Sequence, residues 1–334
     1  MLSRTADNLY WLSRYMERAD FLARIIEAAQ RLATLPTAYG GTGTEWESTL
    51  NAAGALDGYR DHIGEVNETD AIHYLAFDQQ NPSSICNCIE FARTNARSVR
   101  TALTIEMWQS INTAWLEMKR FQSSLGGKGA IDRLELARFL DFVRKASLDF
   151  DGSAHRTMLR NDAHWFSRLG LYVERADTTA RILDVKYNVL LPETEQVGGS
   201  LDYFQWTAIL RAVSALTAYN WVYRDAIKPW LIADLLILRP EMPRSLRSCY
   251  DDIVRLLDNI GRAYGKEGKA QMMARAILEK LVAGDLKDVF GMGLHEFLTE
   301  FIEGNDALGA AIGEQYLIHV DEAPSGLAPA FSEE

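Results

Sequence analysis

The sequence is short of cysteine and proline and has no long apolar run. Only three cysteines occur in 334 residues, Cys86, Cys88 and Cys249. So sparse and odd a set excludes a disulfide framework and points to free thiols in a reducing compartment. Cys86 and Cys88 lie two apart, so a helix would turn them to different faces, and no four-ligand zinc spacing is present. Eight prolines are few for this length. Proline interrupts helices, so their scarcity favours long ones. The longest strongly apolar stretch, Trp230 to Leu238, is interrupted by Asp234 and is too short to span a membrane. The start, Met1-Leu2-Ser3-Arg4-Thr5, leads directly into a charged amphipathic segment, without the apolar stretch of a signal peptide. A cytoplasmic chain with no membrane contact is the expectation.

Positive charge is also in deficit. Lysine and arginine number 35 against 46 aspartates and glutamates, a net charge of −11. Neutralising phosphates takes a basic surface, so nucleic acid is not an expected partner. Apolar residues at 48% and charged residues at 24% are ordinary for a globular chain.

Motifs that carry chemistry are missing too. A di-metal helical bundle needs paired Glu-x-x-His, and the nearest match is the single Asp70-Ala71-Ile72-His73. Gly265-Lys266-Glu267-Gly268-Lys269 has the wrong spacing for a phosphate loop, and Gly291-Met292-Gly293 lacks the third glycine of a dinucleotide fingerprint. No Gly-x-Ser-x-Gly elbow occurs. Neither a metal nor a cofactor is expected, and no residue receives a catalytic role.

What is present is helical periodicity nearly throughout. Leu9, Leu12, Met16, Ala19, Ala23 and Ile26 form one stripe at alternating spacings of three and four. Further helices are predicted near 45–62, 68–78, 82–102, 104–123, 130–152, 156–190, 200–224, 229–237, 243–264, 269–283 and 285–318. Breaks are predicted at Pro36, Gly40 to Thr44, Gly126 to Gly129, Pro192 and Gly198-Gly199. No stretch alternates as a strand with hairpin turns.

An internal repeat overlies this pattern. Leu12 to Ile25 aligns with Leu169 to Ile182 at an offset of 157, with nine of fourteen positions identical, among them Tyr15/Tyr172, Glu17/Glu174, Arg18/Arg175, Asp20/Asp177 and Arg24/Arg181. Ordinary composition gives about one match by chance. A second anchor pairs Pro82/Pro243, Ser84/Ser245 and Cys88/Cys249 at an offset of 161. The expected fold is therefore all-α: two tandem, diverged copies of a multi-helix bundle unit, 1–155 and 156–320, packed into one compact helical body. An acidic tail, 321–334, is expected to be disordered. Two such units usually pack through equivalent faces, which would bring the Glu-Arg helices together.

On the first helix Arg14, Glu17 and Arg24 share a side with Tyr10 and Phe21. So much aromatic bulk implies that the charges are partly buried, and buried charges must be paired. Candidates for a binding or structural charge network are Arg14, Tyr15, Glu17, Arg18 and Arg24, with Arg168, Tyr172, Glu174, Arg175 and Arg181 on the second copy. Arg97 is included, from a mixed segment with Arg93, Arg100 and Glu106. In the second copy Tyr10-Trp11 becomes Ser167-Arg168 and Arg14 becomes Leu171. That asymmetry favours the surroundings of Arg14, Glu17 and Arg18 for any binding site.

The opening from Leu2 to Ala19 resembles the bacterial alpha-E family, named for an all-helical domain with a recurring Glu-Arg motif. Asn95 to Trp108, Leu210 to Tyr219 and Pro243 to Cys249 resemble it as well, so the likeness covers the chain up to the acidic tail. Family members are typically encoded beside a circularly permuted ATP-grasp protein and a transglutaminase-like protein. The resemblance thus implies a helical partner of an ATP-grasp-type peptide or amide ligase system, binding the ligase or its peptide substrate. The alternative is an enzyme of amide bond formation in which arginines hold a carboxylate and a glutamate acts as general base. A homo-oligomeric scaffold is a third reading, neither supported nor excluded by the sequence.

Overall fold

Residues 1–33, 43–127, 129–188 and 200–317 are described by the computed structural model. Their regular structure is entirely helical. In the first half, α1 (Ser3–Ala33), α2 (Gly43–Ala52), α3 (Leu56–His62), α4 (Glu68–Ala76) and α5 (Ile85–Ser98) lead through a 3₁₀ turn to α6 (Ile105–Leu125) and α7 (Arg133–Thr157). In the second, α8 (Asp162–Asn188), α9 (Ser200–Ala212), α10 (Leu216–Tyr223) and α11 (Pro229–Ala233) lead into a π-helical turn, Asp234–Leu238. Then follow α12 (Leu246–Tyr264), α13 (Lys269–Ala283), α14 (Leu286–Met292) and α15 (Leu294–Tyr316). The breaks expected at Pro36, Pro192 and Gly198-Gly199 and the tail from Asp321 lie outside the described residues.

Short polar side chains set several helix starts by accepting the otherwise unpaired N–H groups of the first turn. Asn67 does so for α4, Thr104 for α6 and Asp132 for α7. Ser84 caps α5 and Ser245 caps α12, each just after a proline-containing turn.

Three predicted helices are each divided in two. The segment over 45–62 breaks at Gly54, with φ +64°, and that over 200–224 breaks at Ser214, with φ +56°. A left-handed residue stops an α-helix, and a serine there is uncommon and needs outside support. Arg24 supplies it, donating from Nη1 to the Ala212 carbonyl and the Ser214 hydroxyl, both at 2.8 Å. The third break is at Gly293, φ +102°, between α14 and α15.

α1 and α8 form the centre. α1 packs on α5, α7, α8 and α9, and α8 packs on α1, α2, α12 and α15. Helices buried on most sides need apolar residues around most of their circumference, which Tyr10, Leu12, Tyr15, Met16, Ala19 and Phe21 supply on α1. One hydrophobic core runs through both halves without interruption at 155/156. Among the described residues no helix is long and apolar enough to cross a membrane.

Candidate functional site

The two Glu-Arg helices cross each other. Small residues make the crossing close: Ser13 Oγ lies 2.8 Å from Ser167 Oγ, and a Cβ added at Gly170 would stand 2.1 Å from the Tyr10 carbonyl oxygen. Glu17 and Glu174 follow Ser13 and Gly170 by four residues. One helical turn past the contact, each side chain therefore reaches the opposing helix.

The pairing is reciprocal. Arg175 donates to both oxygens of Glu17 at 2.9 Å, from Nε to Oε1 and from Nη2 to Oε2. Arg18 holds Glu174 the same way, Nε to Oε1 at 2.6 Å and Nη2 to Oε2 at 3.1 Å. Such forked guanidinium–carboxylate pairs are the strong, geometrically specific kind. Each carboxylate also has a second guanidinium. Arg14 Nε reaches Glu174 Oε2 at 2.6 Å, and Arg244 Nη1 reaches Glu17 Oε1 at 2.9 Å. Arg244 continues through Nη2 to Asp20 Oδ2 at 2.8 Å, which also accepts from Arg24 Nε at 2.7 Å. Arg181 Nε binds Asp177 Oδ2 at 2.7 Å.

Four carboxylates (Glu17, Asp20, Glu174 and Asp177) thus face six guanidiniums (Arg14, Arg18, Arg24, Arg175, Arg181 and Arg244). Three of the six also serve other partners, Arg18 among them through the Ser83 hydroxyl at 3.4 Å. Arg24 caps the end of α9, where helix carbonyls favour a cation, and Arg181 comes within 3.9 Å of Asp306.

The side chains of Glu17 and Glu174 are 2% and 1% exposed. Burial pushes the Glu17 carboxyl up, but Arg175 and Arg244 outweigh it and hold the group at about 2. Glu174 is likewise raised by burial and brought down to about 2 by Arg18 and Arg14. A general base works best with a pKa near the working pH, so neither glutamate is tuned for that role. Burial lowers the basicity of Arg14, Arg18 and Arg175, yet their carboxylate partners raise it above the ordinary value.

The structure joins Arg14, Glu17, Arg18, Arg24, Glu174, Arg175 and Arg181 into this network. Tyr15 sits beside it, its ring 5.6 Å from Trp11 and 5.4 Å from Phe91. Tyr172 lies between the guanidiniums of Arg168 and Arg175, at 5.0 and 5.8 Å. Arg168 pairs with Asp151 and donates to the Tyr172 hydroxyl. Arg97 does not belong: it is exposed on α5, whose buried stripe is Ile85, Cys88, Ile89, Ala92, Asn95 and Ala96. Arg93 stacks on Trp115 at 3.9 Å, Arg100 lies over Trp108 and Glu106 is exposed, so this segment forms no part of the network.

The asymmetry also has a different meaning from the one expected. Arg14 serves Glu174 rather than its own neighbour Glu17. Arg244 was not anticipated, although it stands 161 positions from Ser83, which contacts Arg18 at 3.4 Å. Arginine at 244 against serine at 83 is the signal that identifies it. Leucine replaces arginine at 171 and arginine replaces serine at 244, so each glutamate keeps two guanidiniums.

Among the described residues, three cavities lie elsewhere, and no described network residue lines them. One of about 580 Å³ is apolar and lies among α13, α14, α15 and Leu238. A second, of about 500 Å³, is polar and lies beside α3 and α4. The third, of about 190 Å³, lies near Gln30 and Ile131.

Comparison with curated proteins and with solved structures gives no match. Residues 1–317 match a family described as a predicted alpha-helical domain with a conserved ER motif. With the match covering nearly the whole chain, and Glu17-Arg18 and Glu174-Arg175 engaged in reciprocal pairs, the chain belongs to the Alpha-E family.

Proposed function

We propose that this protein is a non-catalytic helical partner of an ATP-grasp-type peptide or amide ligase, acting by docking the ligase or its peptide substrate. The observation that carries this reading is the pairing of both motif glutamates. Glu17 and Glu174 each receive two guanidiniums and stand almost fully buried, so both carboxylates are already engaged within the chain. The surface supplies a better contact region. Tyr203 and Phe204 on α9, Trp221 and Val222 on α10 and Trp230 on α11 are exposed, Trp221 at 77%. The last three stand on α10 and α11, which both pack on α9, and tryptophan and tyrosine dominate binding energy at interaction surfaces.

We also propose that the chain arose by tandem duplication. Support comes from contacts that exchange across the crossing: Glu17 with Arg175 and Glu174 with Arg18, and left-handed Gly54 and Ser214 in positions 160 apart. Three buried free thiols suit the cytoplasm as its place of work.

Co-expression with an ATP-grasp-type ligase and a transglutaminase-like protein from the same genome tests the reading. The ligase should co-purify at micromolar concentration. Changing Trp221→Ser together with Trp230→Ser should weaken capture about tenfold or more while preserving the helical circular dichroism. Absence of co-purification by the folded wild-type chain would contradict the proposal.

A further inference from the structure

The apolar cavity among α13, α14 and α15, of about 580 Å³, falls within the roughly 300–1,000 Å³ range of small-ligand sites. Packed helical cores leave few voids larger than a water molecule, so a space of this size needs a local cause. The first half of the chain supplies the comparison. On α6, Met107, Ile111, Ala114 and Met118 turn inward at spacings of four, three and four. On α13, Ala270, Ala274, Ile277 and Leu281 repeat those spacings. α7 buries Leu136, Phe139, Val143, Ala146 and Phe150. α15 buries Leu298, Phe301, Asn305, Leu308 and Ile312, with the same alternation of three and four.

Aligning these stripes sets Phe121 against Gly284, Phe139 against Phe301 and Phe142 against Gly304. Phe77 corresponds to Leu238, at the same offset of 161 as Pro82 and Pro243. In the first half those four phenyl rings pack on one another. Phe77 lies 4.8 Å from Phe139, and Phe121 lies 5.4 Å from Phe139 and 5.3 Å from Phe142, the last pair stacked. In the second half all four matching residues, Leu238, Gly284, Phe301 and Gly304, line the cavity. Of the four rings only that of Phe301 remains. α13 also ends before Gly284, whereas α6 continues past Phe121 to Leu125. The comparison between halves rests on the duplication reading, whereas the volume and the apolar walls do not.

We infer that this cavity binds aromatic side chains of a peptide from a partner chain, with phenyl rings seated where Phe121 and Phe142 stand in the first half. Aromatic rings prefer stacked or edge-to-face neighbours at about 4.5–7 Å, and Phe297 and Phe301 offer such faces from the cavity wall. The rim favours a peptide over a free aromatic molecule. Lys280 and Glu300 pair there at 2.8 Å, and Glu303 stands exposed beside Gly304. An ammonium and two carboxylates can meet the carbonyl and N–H groups of a peptide backbone, while a bare ring offers them nothing. Met292, which also lines the cavity, is exposed, so the apolar lining continues out to the surface.

Isothermal titration of the full chain with N-acetyl-Phe-Phe-amide tests this, with N-acetyl-Leu-Leu-amide as the apolar, non-aromatic comparison. The Phe-Phe peptide should bind one to one and shift the methyl resonances of Ile277, Leu281 and Met292 through its ring currents. The Leu-Leu peptide should bind about tenfold more weakly or worse. Gly304→Phe should abolish binding by supplying the ring from within. It should keep the fold, because the nearest described atom to a Cβ there, Ile277 Cδ1, is 3.5 Å away. Phe301→Leu should weaken binding about fivefold. No saturable binding of the Phe-Phe peptide up to about 10 mM by chain with native circular dichroism would overturn the inference. So would equal affinity for the Leu-Leu peptide, or affinity unchanged by whichever substitution leaves the circular dichroism native. Toluene binding more tightly than the Phe-Phe peptide would overturn the peptide as occupant. Ligase capture is measured separately, on the Trp221 and Trp230 changes, so failure of this cavity leaves the docking proposal untouched.

Discussion

Changing Glu174→Gln removes one negative charge from the crossing while keeping the shape of the side chain. Three N–H donors converge on the two glutamate oxygens: Arg14 Nε, Arg18 Nε and Arg18 Nη2. A glutamine offers one oxygen and one amide nitrogen, so its NH₂ must face a guanidinium donor. Two arginine charges also lose their counter-charge. Removing one partner of a buried pair typically costs about 3–5 kcal/mol. The Arg14 and Arg18 side chains are 13% and 22% exposed, so water recovers part of this and the expected loss is about 3 kcal/mol. That is a large share of the roughly 5–15 kcal/mol that holds a folded chain together. Equilibrium urea unfolding followed by circular dichroism measures it. Glu117→Gln is the control: its exposed pair with Arg120 is worth about 0.5 kcal/mol. Replacing the whole cluster, with Arg14→Leu, Arg18→Met and Glu174→Leu together, should recover most of the loss, because no buried charge is then left unpaired. A loss below about 1 kcal/mol for Glu174→Gln, no more than a surface pair gives, would refute the reasoning.

Other consequences follow from the same packing. Gly170→Ala places a methyl 2.1 Å from the Tyr10 carbonyl oxygen, so α1 and α8 must part; a loss of about 3 kcal/mol is expected in the same urea assay. His164 is 6% exposed and both its ring nitrogens lack partners among the described residues. Burial, with Arg168 and Arg160 adding to it, lowers its pKa from 6.5 to about 4. The unfolded chain therefore takes up the proton first, so this histidine's contribution is present above pH 6.5 and is lost as pH falls towards 4. Over that window His164→Leu should reduce the fall in stability, by up to about 3 kcal/mol. The core runs through both halves, so urea unfolding should show one cooperative transition, and separately expressed 1–157 and 162–334 should each fail to fold.

Much of the architecture is legible in the chain, for reasons that individual residues make plain. The apolar stripe from Leu9 to Ile26 requires a helix, and Ser84 and Ser245 after their prolines mark helix starts. The shared Tyr, Glu-Arg-Ala-Asp and Ala-Arg-Ile positions single out α1 and α8. What spacing along one helix does not contain is the identity of partners on another. Arg14 shares a side with Glu17 yet binds Glu174, and Arg244 reaches the crossing from the turn before α12. Arg97 illustrates the converse, since an arginine on a solvated face has the same local pattern as one in a network. The breaks at Gly54 and Ser214 are hidden because the apolar stripe continues past them, through Leu56 and Leu216.

The central claim is that the Glu-Arg motif is consumed in joining α1 to α8, and the carboxyl groups themselves report on it. Carbon-13 titration of the Glu17 and Glu174 side chains in the folded protein measures their ionisation directly. The account predicts that both stay ionised as pH falls below the usual carboxyl range of about 4.5, with midpoints near 2 or unfolding first. A midpoint at or above 4.5 for either group would mean that its arginines do not hold it, and would contradict the account.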